Sequence, residues 1–591
     1  TLSELGEYDG TALMEFKTKK DIIYQIHKDS VCTYEFDDTP PFPVNQGALD
    51  IALEIAMLLE CQLVDEIHIS RKQYLDGSIP TGFQRTTIVG VDGRIPFKDG
   101  RVIRVVQLAL EEDACREVSD SGHLRVYRTD RLGMPLIEVV TYPDMRTPQE
   151  VAEAGQVIRR ITRSTNKVRR GLGATRQDVN VSVEGGTRVE IKGVPRIPLF
   201  PRLTHNEALR QWNLLRIRDL LLKRGLTAAS LEWRADDLAG LLKTARFEPL
   251  RRAAREGLAL RAVTLRGLAG ILREPTQEGT LFWKEISDRV RVIACLTDLP
   301  NLIHSDLPEG TLSETDWRKV RKFAGAGRDD AVVVIWGPEA DVETAVKEIV
   351  IRVREAAVGV PSETRQALPD GTNGFERILP GPDRMYPDTD SLPIEITSER
   401  IERIRRARPR LLGERLQDYR SRGLSEDLTW KLLLSPRVED FDALLEGDGV
   451  DAVLTADILV NLLPCLRRLN RPVETLDRDA LRSVLGEHRQ GRLTRAAAKD
   501  VLAAMPGGAR DFGLLLKDKR RSGLDEAALR RRVREIIDKN RSGAPALPEA
   551  RRRFLMGRLM ESLRYEAEGR DVARWLDASP QEREDDVRRP A

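Results

Sequence analysis

Glu111, Glu112 and Asp113 follow one another directly after the apolar run Leu108-Ala109-Leu110. Three adjacent carboxylates repel unless a cation or a basic group sits among them. Magnesium binds carboxylate oxygens together with waters and phosphate oxygens, so a magnesium role for Glu112 is chemically sensible. The same acids would also suit the first turn of a helix, where the macrodipole favours negative charge, and Asp113 fits that reading best. A second constellation spans 178–192 and reads as a β-hairpin. Asp178, Asn180 and Ser182 alternate with Val179, Val181 and Val183, and on the return strand Arg188, Glu190 and Lys192 alternate with Thr187, Val189 and Ile191. A three-residue loop of Glu184, Gly185 and Gly186 would set Ser182 opposite Arg188, Asn180 opposite Glu190 and Asp178 opposite Lys192. One face is then wholly polar, either a wetted outer side or a charged working surface.

Around these lie shorter candidates. Segment 71–84 packs Lys72, Tyr74, Gly77 and Gly82 into a turn-rich stretch. It reads either as an ordinary surface loop or as a ligand loop, with Lys72 and Tyr74 reaching phosphate or ribose oxygens. Segment 127–138 turns at Gly133 and Pro135, with Asp130, Arg131 and Glu138 at its borders, and spacing does not separate a structural salt bridge from a site. The basic lead 167–176 contains Gly171 and Gly173 but lacks a third glycine and precedes a strand, so it is not a dinucleotide fingerprint. No Walker A, H-E-x-x-H, G-x-S-x-G or Gly/Ser-rich amidase signature occurs. If ammonia is used, another chain must make it. The six histidines never pair at helical spacing, and the five cysteines form no C-x-x-C, so neither a metal site nor a disulfide framework is expected from them.

The elements that must position these residues follow from texture. A chain of 591 residues is too long for one core. Its net charge of +2, with 32% charged and 41% hydrophobic residues, excludes neither nucleic acid nor small-molecule partners. Residues 1 to about 260 mix strands with amphipathic helices such as 48–63. From 262 to 374 a small α+β module is expected: a helix at 283–289, strands at 290–295 and 331–336, and a helix from 341 to about 357. Beyond Pro393 the chain reads as helical and Arg-rich, broken at Pro409, Gly423, Pro436, Pro464, Gly507 and Gly508, with 581–591 fraying. A helix from Pro548 stacks Leu555, Leu559 and Leu563, and also Met556 and Met560. It carries Arg551, Arg552, Arg553 and Arg558, downstream of Arg530, Arg531, Arg532 and Arg534. This is either a solvated basic helix or a surface that tracks RNA phosphates. No apolar run reaches bilayer length, and the first residues show no secretory leader, so a reducing cytoplasmic location is expected.

Segments 71–84, 110–114, 127–138, 169–182 and 188–193, in this order, resemble the B and E subunits of the tRNA-dependent amidotransferases. Segments 359–372 and 384–390 are similar to the exit of an inserted domain carried by the E type, found in the archaeal glutamyl-tRNA(Gln) amidotransferase, and lacking in the B type. The resemblance implies a multi-domain α+β protein. A mixed α/β catalytic cradle at 1–261 and 375–398 would hold an insert at 262–374 like that of bacterial aspartyl-tRNA synthetases. A helical domain at 399–475 and a YqeY-like, tRNA-binding tail at 476–591 would follow.

It also implies ATP and Mg²⁺ as cofactors, glutamyl-tRNA(Gln) as substrate, and phosphorylation of the glutamate side chain before attack by ammonia. The ammonia would come from an asparaginase-like D subunit in an assembly of two D and two E subunits. Matched position by position, Glu112, Asp178, Glu190 and Lys192 are the implied catalytic residues. Lys72, Tyr74, Asp130, Arg131 and Asn180 would contact ATP or substrate, and Glu111, Glu112 and Glu190 would hold the metal. Arg551, Arg552, Arg553 and Arg558 are the candidates for tRNA contact. The family opens with a strand of the form Gly-Leu-Glu-Ile-His, whose Glu and His help bind metal, whereas this sequence starts at Thr1-Leu2-Ser3-Glu4. Cys32 lacks the upstream cysteines of some relatives, so no zinc site is expected. Two alternatives stay open: a non-enzymatic tRNA-binding scaffold, and a B-type subunit acting on aspartyl- or glutamyl-tRNA.

Overall fold

The computed structural model describes residues 14–578 apart from 16–17, 98–99, 172, 243–244, 380, 382–383, 409, 411, 447–448 and 507–511. Expectations placed on 1–6, Pro409, Gly507, Gly508 and 581–591 fall outside these residues. The chain divides into two units, Thr1–Arg408 and Pro409–Ala591.

The first unit is built on a long antiparallel sheet in the order Met385–Pro387, Ser70–Gln73, Phe83–Pro96, Val102–Glu112 and Pro135–Thr141. The strand Val102–Glu112 alternates exposed and buried residues at its start, but Leu108, Ala109, Leu110 and Glu111 are buried in succession, so both faces are covered where it ends. The helix Gln46–Leu58 packs on this sheet through Leu49, Ala52, Leu53 and Ala56, and Asn45 caps it by accepting from the Ala48 amide. It stops short of the expected residue 63 because Gln62–Leu63 is already a strand paired with the sheet.

A second sheet carries the expected hairpin. Its order is Gln177–Val181, Val189–Val194, Glu363–Ala367 and Asn373–Ile378. Val179, Val181, Ile191 and Val194 pack with Phe200 and Leu203 of the helix Phe200–Lys223, so the apolar face of the hairpin is buried as its alternation requires. Gly155, in the helix Pro148–Ser164, lets Phe200 approach: a Cβ there would stand 2.8 Å from the Phe200 ring.

The α+β module expected from the sequence has its own four-stranded sheet, ordered Trp233–Asp237, Ala259–Leu265, Ala331–Gly337 and Leu302–His304. Val263, Leu265, Val333 and Ile335 feed one core, while Leu260, Ala262, Val332 and Val334 feed another on the opposite face. An unbroken apolar strand at 331–337 is what a sheet covered on both sides demands. The module begins earlier than the expected residue 262, since the strand Ala259–Leu265 crosses that boundary and its edge partner lies at 233–237. It also ends earlier than 374, because Glu363–Ala367 pairs with the hairpin. The expected strand at 290–295 is instead the end of the helix Phe282–Ile293. There Phe282, Ile286, Val290 and Ile293 form a buried helical stripe that overrides the β-propensity of the valines.

The second unit is helical in its described residues. One core runs from Tyr419 to Leu515 and a second joins Leu529, Val533, Ile537, Leu555, Leu559, Leu563 and Trp575. The expected division at 475 therefore cuts through the first core, to which Leu481, Val484, Leu485 and Leu502 belong. Gly423 follows the helix Leu412–Ser421 at positive φ, as a helix stop should. Pro464 is no break: the π-turn Ile458–Leu462 leads straight into the helix Leu463–Arg468, whose first turn tolerates a residue without an N–H. No described helix is long and apolar enough to cross a membrane.

Candidate active site

Cross-strand partners share a face of a sheet, and consecutive residues alternate. The ladder of the long sheet pairs Lys72 with Gln84, Thr86 with Glu111, and Ala109 with Glu138. Lys72, Glu111 and Glu138 therefore emerge on one face. Lys72 Nζ donates to Glu111 Oε1 at 2.7 Å, and both side chains are largely buried. Burial opposes the charge of Lys72, but Glu111, Tyr74 and Glu138 outweigh it and raise its pKa. Glu111 and Glu112 end a strand, so the reading of these acids as a first helical turn does not hold.

The polar face of the hairpin acts on the same group. The Glu138 carboxyl is pushed up to about 7, first by burial, then by the negative charge of Glu111, with Lys72 opposing, Asp178 reinforcing and Lys192 opposing. Asp178 is raised by burial first, against Lys192 and the Gly193 amide, with Glu190 adding to the rise. Glu376, on the strand Asn373–Ile378, is raised by burial against Arg377 and Lys192, and Asp178 and Glu190 reinforce the shift. Glu138 and Asp178 both reach solvent, and Asp178 and Lys192 act on Glu138, so the polar side of the hairpin and this face of the sheet lie close to one another.

Within the hairpin Asn180 stands opposite Glu190 and Val179 opposite Ile191, as the alternation requires. A bulge then shifts Gln177 onto Val194, and Asp178 Oδ1 accepts from the Gly193 amide at 2.7 Å instead of standing squarely opposite Lys192. The turn is wider than three residues, so Ser182 and Arg188 lie outside the ladder and the expected pairing between them is absent. Glu190 accepts from Thr364 Oγ1 at 3.2 Å across the parallel strand pair.

Glu112 does not join this group. It points through the opposite face, where Arg85 Nε donates to Oε2 at 3.1 Å and Arg85 Nη2 donates to Oε1. The pair lines a pocket of about 300 Å³ walled by Tyr34, Phe42, Asn45 and Pro135, to which Glu111 also contributes. Glu111, Glu112 and Glu190 thus do not converge as one ligand set, and among the described residues no three Asp, Glu, His or Cys side chains form a closed metal cage. Magnesium, however, commonly takes only one or two carboxylates and completes its shell with waters and phosphate oxygens. Glu111 and Glu138 share one face of the sheet and fit that mode, and the charge of Glu111 adds to the rise that burial gives Glu138.

Asp130 and Arg131 do not pair with each other. Asp130 bonds Arg116, while Arg131 Nε donates at 2.6 Å to the buried Asp113, which also accepts from Arg176 at 2.9 Å. Asp113 is thereby a structural acid tying the turn at 129–131 to the lead into the hairpin. The 71–84 segment is itself a hairpin, with Gln73 opposite Phe83. Tyr74 lies at its turn with Arg384 over the ring at 5.0 Å and Arg377 at 5.9 Å. Arg85 and Glu376 escaped sequence reasoning, and Glu138 entered it only as the border of a turn. The alternation of Leu136, Ile137 and Glu138 in a strand carried the available signal.

In the second unit, Leu555, Leu559 and Leu563 are buried and leave the arginines of the helix Pro548–Leu563 outside. Arg551 donates to the Pro545 carbonyl, Arg552 grips Asp577 through two bonds of 2.8 and 2.9 Å, and Arg558 bonds Glu561 at 3.1 Å. Arg553 reaches Glu549 only at 3.9 Å.

A family model described as the GatB/GatE catalytic domain matches residues 17–402, the stretch that carries the long sheet and the hairpin. The chain belongs to this family. It is 37% identical to the E subunit of glutamyl-tRNA(Gln) amidotransferase from Methanocaldococcus jannaschii, over 97% of this chain and 90% of that protein. Its counterpart from Sulfolobus acidocaldarius is 34% identical over 97% and 90%, and that from Methanopyrus kandleri 38% over 85% and 79%.

Proposed function

We propose that this chain is the amidating component of a tRNA-dependent amidotransferase that turns glutamyl-tRNA(Gln) into glutaminyl-tRNA(Gln). The observation that carries the proposal is that Lys72, Glu111 and Glu138 share one face of the sheet near the polar side of the hairpin, whose Asp178 and Lys192 act on Glu138. The relatives named above carry that activity in their names.

In this reading the glutamate on the tRNA terminus enters the cleft with its side-chain carboxylate toward Lys72 and Lys192. Attack of that carboxylate on the terminal phosphorus of ATP forms a carboxyl–phosphate bond and releases ADP. Ammonia from an asparaginase-like partner protein then attacks the activated carbon, and phosphate leaves. Phosphoryl transfer needs charge neutralisation and positioning more than a protein nucleophile, which suits a site of lysines and carboxylates. Magnesium held by Glu111 and Glu138 would neutralise phosphate charge. Asp178, Glu190 and Glu376 would take the proton that attacking ammonia must lose, and the rise that burial gives Asp178 and Glu376 supports that role for those two. Asn180 and Tyr74 would line the approach. The arginines of the second unit would supply affinity for the tRNA backbone.

The test is reconstitution with the partner glutaminase, glutamine, ATP and glutamyl-tRNA(Gln). Formation of glutaminyl-tRNA with one ADP released per amide is the expected result. Binding of tRNA without any ADP release would reject the proposal in favour of a scaffold.

A further inference from the structure

The strand Glu363–Ala367 lies between the hairpin and a buried ionic network, and its alternating side chains serve both. Thr364, fully buried, points to the cleft side, where it donates to Glu190. Its neighbours Glu363 and Arg365 point the other way, into the network. There Arg210 Nε and Nη2 grip Glu285 at 2.9 and 2.8 Å, and Arg210 Nη1 donates to Glu207 at 3.0 Å. Arg210 Nη2 also bonds Glu363, and Arg365 donates to Glu363 at 2.5 Å and to Glu285 at 3.1 Å. Glu285 comes from the helix Phe282–Ile293 of the inserted module, and Arg210 from the helix under the hairpin. Fully buried guanidinium–carboxylate pairs of this kind tolerate little displacement, because a shifted partner leaves an uncompensated charge in a medium that cannot solvate it.

We infer that Thr364 is a positioning residue for Glu190, and that the network anchors it so that the inserted module fixes the geometry of the amidation cleft. A carboxylate with one oxygen held by a rigid hydroxyl keeps a single orientation toward the cleft. Without the donor it rotates among conformers, only some of which face the substrate. The inference rests on the amidotransferase reading given above and assigns a residue outside that reading's own set.

The experiment compares wild type, Thr364→Val, Thr364→Ser, Glu190→Gln and the Thr364→Val/Glu190→Gln double variant, each in complex with the partner glutaminase. Val keeps the shape of Thr and removes the hydroxyl. Thr364→Val should lower kcat by about 10- to 100-fold, the range for partners that orient a site ligand, with KM for glutamyl-tRNA changed less than about twofold. Thr364→Ser should restore most of the loss. In the Glu190→Gln background Thr364→Val should lower kcat no further. Full kcat in Thr364→Val, or an undiminished additional loss in the double variant, would overturn the inference. If the valine variant does not fold, Thr364→Ala provides the same comparison. A wild-type complex that forms no glutaminyl-tRNA removes both readings, whereas an active wild type with an indifferent Thr364→Val removes only this one.

Discussion

Glu111 and Glu112 are adjacent in the chain and serve opposite faces of one sheet, Glu111 bonded to Lys72 and Glu112 held by Arg85. Strand alternation permits nothing else once both residues lie in the ladder. Two acids that look equivalent in the sequence are therefore separated by their partners, one held by a lysine and one by an arginine.

The two should respond differently to loss of charge. Glu111→Gln is expected to lower kcat by about a hundredfold or more, on the scale of removing one charge-stabilising group from a reaction centre. Glu112→Gln leaves the buried Arg85 without its counter-charge, and its main effect should be a loss of about 1–3 kcal/mol of stability with kcat nearer to wild type. Steady-state kinetics and denaturant unfolding on the same pair of variants check both halves.

The cleft should make stability depend on pH in a defined direction. Glu138 is raised from a usual carboxyl value of 4.5 to about 7, so between those values the folded protein holds a proton that the unfolded chain has released. Stability from this group is present below about 4.5 and is lost as pH rises through about 7. Because the Glu138 side chain reaches solvent, screening will soften the effect. Thermal unfolding of Glu138→Gln from pH 4.5 to 8 should show a flatter profile than wild type and a higher Tm at the alkaline end.

A divalent cation should oppose the same loss. Ligands that bind only the folded state raise Tm, and the cleft carboxylates are most available when ionised. Magnesium should therefore raise Tm more at pH 8 than at pH 5, and the difference should shrink in Glu138→Gln and in Glu111→Gln but not in Glu112→Gln.

The ionic network should be costly to unbalance. Burial disfavours charge on Glu285, but Arg210 and Arg365 overcome it and hold the carboxyl well below its ordinary range. Glu285→Gln removes the carboxylate that Arg210 and Arg365 share, leaving only Glu207 and Glu363 to balance the buried guanidiniums, and should destabilise the first unit by roughly 3–5 kcal/mol, read from the denaturation midpoint.

How far the sequence could be read depended on the kind of signal. Strict alternation in 178–192 located a hairpin with one apolar and one polar side, and Val179, Val181, Val189 and Ile191 are buried as that pattern requires. The bulge at Asp178 was not legible, since nothing in the residue types requires the Gly193 amide to be taken there. The end of the helix Phe282–Ile293 reads locally as a strand because Val290, Val292 and Ile293 favour strands, and only tertiary packing shows the buried stripe that Val290 and Ile293 complete. Glu376 and Arg85 were invisible for a different reason. Each matters through partners far away in sequence, and pairing across a sheet is decided by register, not by local composition.

The arginine helix offers a check on RNA binding. Replacing Arg551, Arg553 and Arg558 together should weaken tRNA binding and make the salt dependence shallower, by about one unit of log–log slope for each phosphate no longer neutralised. Arg552, already gripped by Asp577, should contribute less. Binding isotherms at several salt concentrations would show it.

The central claim, that the sheet acids and the hairpin polar face form one phosphoryl-transfer site, is tested most directly by single-turnover transfer from ATP labelled at its terminal phosphate. The assay would use complexes carrying Asp178→Asn or Glu111→Gln, with tRNA affinity measured in parallel. The account predicts that both variants bind glutamyl-tRNA like wild type, that Glu111→Gln loses ADP formation together with amide formation, and that Asp178→Asn, which lacks a proton acceptor for the second step, still forms ADP but loses amide formation. Glu111→Gln retaining wild-type phosphoryl transfer, or Asp178→Asn retaining wild-type amide formation, would contradict it.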